Sequence, residues 1–133
     1  MAEVDLHLHT TESDGRLTPA DLVKLVAKRG LKTVAVTDHD VTTGLELAWE
    51  AAAEYPWLNI IPGIELSTDI PGGEIHILGY HINYKDTYLQ SRLERFRASR
   101  IGRAQEMVRL LATLGMHLEW ERVKEIAGPG SIG

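Results

Sequence analysis

The chain has 133 residues, enough for one hydrophobic core, so we expect one domain or part of a larger one. Its formal net charge of −5 argues against binding of duplex nucleic acid through bulk basicity, and the lack of cysteine excludes disulfides and thiolate metal sites. No stretch approaches the ~18 apolar residues of a membrane span, and the start of the chain lacks a signal-peptide pattern, so we expect a soluble cytoplasmic protein without a membrane partner.

The first predicted strand carries alternating polar side chains. Asp5, His7 and His9 alternate with Leu6 and Leu8, so on a β-strand the three polar groups share one face. Imidazoles two residues apart on one strand can converge on a single cation. Because His-x-His also occurs on solvated strand faces, a metal role depends on what the other strand ends supply.

Helices and strands alternate after this first strand. Residues 18–30 predict a helix, and residues 31–37 form a β-branched run typical of a buried strand. A second helix must end before Pro56. Residues 58–67 then predict a third strand, with Glu65 near its end. Three βα units in a row favour a parallel α/β barrel or a doubly wound sheet.

The pattern changes in the second half of the chain. Residues 69–73 predict a turn, and residues 74–81 predict a fourth strand with His76 on one face. A long charged helix is expected from about residue 87 to near residue 115, followed by a short helix over residues 119–127. No strand pattern returns, so three or four strands cannot close a barrel. We therefore expect a fragment whose open sheet edge favours self-association.

Candidate ligands gather at the predicted strand ends. His7 and His9, the triplet Asp38-His39-Asp40, Glu65 and His76 all fall at or near the carboxyl ends of successive strands. In α/β barrels the loops converge at this rim, so we expect these groups to meet in space. Imidazole and carboxylate ligands without sulfur suit Mn, Fe, Zn or Mg. Several such ions close together hydrolyse phosphate esters through a metal-bound hydroxide.

Five short motifs resemble, in order, the opening motifs of the PHP (polymerase and histidinol phosphatase) superfamily. They are DLHLHT at residues 5–10, SDG at 13–15, TDHD at 37–40, PGIELS at 62–67 and HILG at 76–79. The resemblance is strongest to the small phosphoesterase branch, which includes 3′,5′-nucleotide bisphosphate phosphatases and RNA 5′-end exonucleases. That branch inserts a helical segment after the early strands, and the stretch from residue 87 resembles such an insertion.

The resemblance implies an α/β fold: the N-terminal part of a distorted seven-stranded (β/α) barrel over residues 1–86, then the start of a helical insertion over residues 87–133. It also implies up to three divalent ions. The matching ligands are His7 and His9 for the first ion, Glu65 bridging the first and second, His76 for the second, and Asp14 and His39 for the third. Asp40 would orient a ligand, and Arg100 and Arg103 of the insertion would bind substrate phosphate.

The resulting hypothesis is a metal-dependent phosphoesterase. It would hydrolyse a phosphate monoester or terminal phosphodiester of a small nucleotide or short oligonucleotide through a metal-bound hydroxide. Two alternatives stay open: a histidinol-phosphate phosphatase, which shares the chemistry, and a non-catalytic PHP module such as the one attached to some DNA polymerases. The family's later histidine strand and closing Asp-x-His motif do not follow in this chain, so we expect each ion to lack one or more ligands here.

Overall fold

The computed structural model describes residues 3–70 and 73–128. Within these residues, four strands and four helices confirm the predicted α/β class. In chain order they are β1 (Val4–Leu8), α1 (Pro19–Lys28), β2 (Thr33–Val36), α2 (Gly44–Ala52), β3 (Asn59–Ile70), β4 (Gly73–Tyr80), α3 (Thr87–Thr113) and α4 (Trp120–Ala127). The strands form one sheet in the order β1-β2-β3-β4. The seven strands of a complete barrel, and the division at residue 87 into barrel and insertion, stay predictions.

The first three strands are parallel, as expected. Thr33 of β2 pairs with Val4 of β1 on one side and with Asn59 of β3 on the other. Helices α1 and α2 are the crossovers that parallel neighbours require. Beyond the end of β2, an isolated parallel bridge joins His39 to Glu65. The carboxyl ends of β1, β2 and β3 therefore meet at one edge of the sheet.

The fourth strand runs in the opposite direction. β4 is antiparallel to β3, with Ser67 opposite His76 and Ile70 opposite Gly73. The expectation that His76 lies at the carboxyl end of its strand is therefore wrong, because it lies within β4. It still reaches the rim, since β3 extends beyond Glu65 and its antiparallel partner brings His76 back beside it. The predicted turn at residues 69–73 centres on residues 71 and 72, which lie outside the described residues.

The hydrophobic core lies between the sheet and the first two helices. Its buried members are Leu22, Val23, Val26, Ala27, Val34, Val36, Leu45, Ala48, Leu58 and Ile60. Thr18 caps α1 by accepting a hydrogen bond from the Asp21 amide at 3.2 Å. Trp49 packs at the edge of this core and donates from Nε1 to the carbonyl of Ile60 at 3.2 Å. The core holds the three parallel strands in register, which fixes where their ends point.

Helix α3 lies apart from this core. Of its 27 residues, Leu93 and Ala104 are the buried ones, and Leu110 remains 49% exposed. The side chain of Asp86 caps it by accepting from the Leu89 amide at 2.8 Å. Arginines of α3 contact the loop after β2, as described below. Across residues 3–70 and 73–128, no helix is both long and apolar enough to cross a membrane.

Candidate metal centre

Glu65 is the centre of a histidine cluster at the edge where the strands end. Its Oε2 atom lies 2.7 Å from His7 Nε2, 3.0 Å from His9 Nε2 and 3.7 Å from His39 Nε2. Its Oε1 atom lies 2.8 Å from His76 Nδ1. The carboxylate is buried, with the side chain 4% exposed. One carboxylate thus contacts imidazoles from β1 and the residue directly after it, from the loop after β2, and from β4.

The six predicted ligands come together in three overlapping groups. In each group, the nitrogen and oxygen donors lie within 4.8 Å of one another. The groups are His7, His9 and Glu65; His9, Asp14 and His39; and His39, Glu65 and His76. The structure therefore brings together every residue that the family resemblance assigned to an ion, whereas Asp38 and Asp40 belong to none of the groups. The assignment of each ligand to an individual ion stays a prediction, since His9, His39 and Glu65 each belong to two groups.

Burial and neighbouring groups shift the pKa values of two residues of the centre, His39 and Glu65. Burial lowers the pKa of His39 below its ordinary value of 6.5, and this outweighs the opposing effect of the carboxylates of Glu65 and Asp14. Burial alone would raise the pKa of Glu65, but the hydrogen bond from His7 and the nearby histidine charges outweigh it, so that pKa is lowered. Both shifts favour the protonation states that bind metal ions.

The donor set fits divalent metal ions. Ring centroids are 5.0 Å apart for His7 and His9, 4.8 Å for His9 and His39, and 4.9 Å for His39 and His76. The Nδ1 atom of His9 is buried and makes no hydrogen bond, although it lies 3.2 Å from an oxygen of Asp14. A buried nitrogen without a hydrogen bond costs free energy unless another partner binds it. Crowded imidazoles with carboxylates and no sulfur suit Mn, Fe, Zn or Mg.

Asp40 lies behind the centre and belongs to none of the three donor groups. It is fully buried, and its backbone adopts a left-handed φ of 53°. Its Oδ1 accepts from the Ser67 amide at 3.1 Å, and its Oδ2 accepts from Arg100 at 3.3 Å. Its carbonyl accepts from Arg97 at 2.8 Å. Asp40 therefore connects β3 to helix α3, a contact that the sequence analysis did not predict because it joins residues 57 and 60 positions apart.

The two arginines predicted to bind phosphate line one cleft beside the centre. Its volume is about 300 Å³, and it is lined by Ser67, Thr68, Phe96, Ser99, Arg100 and Arg103. Arg100 donates from Nη1 to Ser67 Oγ at 2.8 Å, and that hydroxyl lies 3.4 Å from His39 Nδ1. Ser67 therefore borders both the cleft and the histidine cluster. Sequence reasoning missed Ser67, although it lies two residues after Glu65 on the same strand face.

Sequence reasoning placed Asp38 among the groups at the strand ends but gave it no specific role. This carboxylate is 2% exposed and accepts hydrogen bonds from Thr10 and Ser13, which flank two of the ligands. Its position directly before His39, within the polar stretch of residues 37–40, was the sequence feature that could have indicated a role at the site. The hydroxyl residues that satisfy it are 25 and 28 positions away, so the network itself could not be read from the sequence.

Comparisons with known proteins agree with this geometry. A sequence model of the PHP domain matches residues 5–114. The 5′-3′ exoribonuclease Rnm of Salmonella typhimurium is 35% identical over 129 residues, which cover 96% of this chain and 44% of that protein. A 3′,5′-nucleoside bisphosphate phosphatase of Chromobacterium violaceum is 38% identical over 118 residues, which cover 87% of this chain and 40% of that protein.

Among solved structures, a protein of Bifidobacterium adolescentis named as a metal-dependent phosphoesterase superposes with a TM-score of 0.85 at 32% identity. The alignment covers 98% of this chain and 46% of that one. The chain thus spans less than half the length of each of these relatives. The ordered motifs, the clustered ligands and all of the sheet except Val4 lie inside the matched region, and the chain belongs to the PHP domain family.

Proposed function

We propose that this chain carries the metal-binding part of a phosphoesterase that hydrolyses a phosphate monoester or terminal phosphodiester of a small nucleotide or short oligonucleotide. The observation that carries the proposal is the buried Glu65 carboxylate, which contacts four imidazoles from three separate chain segments. The relatives named as a nucleotide phosphatase and an exoribonuclease support the same substrate class.

The six ligands would be shared among three ions, two of which Glu65 would bind. His7 and His9 would hold one ion with it, and His76 would hold a second with it, while Asp14 and His39 would hold a third beside His9. Up to three ions of Mn, Zn, Fe or Mg are consistent with these donors. When bound, such ions activate water as a nucleophile and neutralise charge on a phosphate ester. The lowered pKa of His39 means that this ligand need not lose a proton first.

The arginine cleft would bind a phosphate group of the substrate. Guanidinium groups match phosphate oxygens through paired N–H donors, and Arg100 and Arg103 both border the cleft. Asp40 and Ser67 hold the Nη1 atom of Arg100, so that its side chain, only 13% exposed, is oriented before substrate arrives. At about 300 Å³ the cleft accommodates a small phosphorylated group rather than a duplex.

Mn²⁺ binding and phosphate release together test the proposal. The chain is titrated with Mn²⁺ by calorimetry, and inorganic phosphate is then measured with adenosine 3′,5′-bisphosphate or histidinol phosphate as substrate. Mn²⁺ binding with release from the bisphosphate supports the proposal. Release from histidinol phosphate alone would assign the chain to histidinol-phosphate hydrolysis instead. Absence of both binding and release, in this chain and also in any longer parent protein, would indicate a non-catalytic module. Cytoplasmic location and self-association stay predictions from the sequence.

A further inference from the structure

We infer that Asp38 is a positioning residue that fixes the loop carrying His9 and Asp14 against His39, and thereby governs the ion held by that donor group. The inference rests on the proposed metal-binding function. Asp38 is not itself a member of any of the three donor groups. It lies beneath them, in the stretch that joins β2 to the rim.

Three short hydrogen bonds tie the loop to this carboxylate. Asp38 Oδ1 accepts from the Thr10 amide at 2.7 Å and from the Ser13 hydroxyl at 2.6 Å, and Oδ2 accepts from the Thr10 hydroxyl at 2.7 Å. Thr10 is fully buried, and Ser13 is 6% exposed. Hydrogen bonds to a buried charged acceptor are shorter and stronger than neutral ones. The loop is therefore held by Asp38 at two residues, Thr10 and Ser13.

The hydrogen bonds of Asp38 act on one donor group, that of His9, Asp14 and His39, because the bonded residues are adjacent in sequence to these ligands. Thr10 follows His9, Ser13 precedes Asp14, and Asp38 precedes His39, so every member of the network adjoins one ligand of the group. The side chain of Asp14 is 59% exposed, so its position depends on the backbone of this loop. By contrast, Glu65 directly contacts His7 and His76, which lie on β1 and β4.

Two glycines make room for the network. A Cβ on Gly15 would collide with the carbonyl group of His9 and come within 2.7 Å of the Thr10 nitrogen. A Cβ on Gly44, the first residue of α2, would lie 2.9 Å from Asp38 Oδ2 and 3.1 Å from Thr10 Oγ1. The loop thus closes on itself at Gly15 while α2 begins directly against the Asp38 carboxylate. The amino end of a helix also favours a negative charge nearby.

Single hydroxyl deletions in the intact chain test the inference. Ser13→Ala and Thr10→Val each remove one hydroxyl with little change of volume, and Thr10→Ser is the matched control because it keeps the hydroxyl. Mn²⁺ is the probe, and free Mn²⁺ is counted by electron paramagnetic resonance. We expect both deletions to weaken one class of Mn²⁺ site by roughly 10- to 100-fold and to weaken the remaining sites, which share His9 or His39, clearly less. Thr10→Ser should bind Mn²⁺ like the parent chain.

Amide exchange of the metal-free chain separates this inference from the proposed function. The Thr10 amide, bound to Asp38, should exchange faster in Ser13→Ala than in the parent chain. Equal weakening of all Mn²⁺ sites, or of none, together with unchanged Thr10 exchange, would overturn the role of Asp38. If the parent chain binds no Mn²⁺, the metal-binding function fails, whereas faster Thr10 exchange in the variant would still show that the network orders the loop.

Discussion

Replacing Glu65 with glutamine is the most direct perturbation of the metal centre. The amide has nearly the same shape as the carboxylate but no charge. Glu65 is 3% exposed and supplies a donor atom to two of the three groups, so the substitution removes charge where little solvent can replace it. Glu65→Gln should therefore weaken Mn²⁺ binding strongly while leaving the fold in place.

The burial of Glu65 sets the size of the effect. At an effective dielectric of 20, two unit charges 4 Å apart attract by about 4 kcal/mol, and every 1.4 kcal/mol corresponds to about tenfold in affinity. Losing the charge of Glu65 should therefore lower the Mn²⁺ affinity by roughly a thousandfold. The double charge of the ion increases this loss, and the amide oxygen of glutamine reduces it.

The expected loss of affinity is checked by calorimetric Mn²⁺ titration of the parent chain, Glu65→Gln and Glu46→Gln near neutral pH. Glu46→Gln is the matched control, because Glu46 is exposed and pairs with Lys85 at 3.0 Å, away from the histidine cluster. It should bind Mn²⁺ like the parent chain. If Glu65→Gln also binds Mn²⁺ as tightly as the parent, the carboxylate is not a ligand and the reasoning from its burial is wrong.

Three further predictions concern the contribution to stability of the Arg100 contacts, the tight packing around Gly15, and the pH dependence of stability. Arg100→Lys should lower the free energy of unfolding in urea by about 1.5–3 kcal/mol, because a lysine cannot hold Asp40 and Ser67 together as the guanidinium does. Gly15→Ala should lower it by about 1–3 kcal/mol, read by thermal unfolding, since the added methyl group meets loop backbone. The metal-free chain should lose stability as pH falls below 6.5, because burial lowers the pKa of His39 and the unfolded chain takes up that proton more readily. Urea midpoints at about pH 7.5 and about pH 5.5 should differ less in His39→Gln than in the parent.

Matched variants exist for the first two predictions. Arg95 is exposed on the same helix as Arg100, and Arg95→Lys should change stability by less than about 0.5 kcal/mol. Nothing lies within 4 Å of a Cβ placed on Gly102, so Gly102→Ala in the middle of α3 should stabilise by about 0.5–1 kcal/mol. Equal effects within either pair would contradict the contacts described. For His39, an unaltered pH difference in the variant would mean that other groups cause it.

Most of the secondary structure follows from local patterns. The predicted helix over residues 18–30 corresponds to α1, and the predicted third strand over residues 58–67 corresponds to β3, which begins one residue later. These elements are readable because apolar spacing, caps and breakers act between neighbours along the chain. The length of β3 was underestimated by three residues at its carboxyl end. The direction of β4 was not predicted, since strand pairing is settled by contacts between segments and not by the residues of either one.

The identities of the candidate ligands were readable for a related reason. In a run of parallel βα units, any polar residue at a carboxyl strand end projects to the same rim, so the sequence position of His39 already implies its place. Glu65 lies at this rim because it forms the parallel bridge to His39, although β3 itself continues to Ile70. His76 was placed at the rim on a wrong premise and reaches it through antiparallel pairing instead. The match to the PHP domain agrees with the motif assignment. The motifs could be recognised because each one is a short unbroken stretch of the sequence.

The sequence by itself determined the element order, the parallel start of the sheet and the chemical type of the donors, because each depends on short-range periodicity and residue type. Only the tertiary structure decided which donors share a group, how Asp38 holds the ligand loop and how Asp40 anchors Arg100. The hydrogen bonds of Asp38 and Asp40 to other segments join residues 25 to 60 positions apart. Hydrogen bonds between such distant groups form only after the chain has folded, when burial removes the water that would otherwise satisfy them.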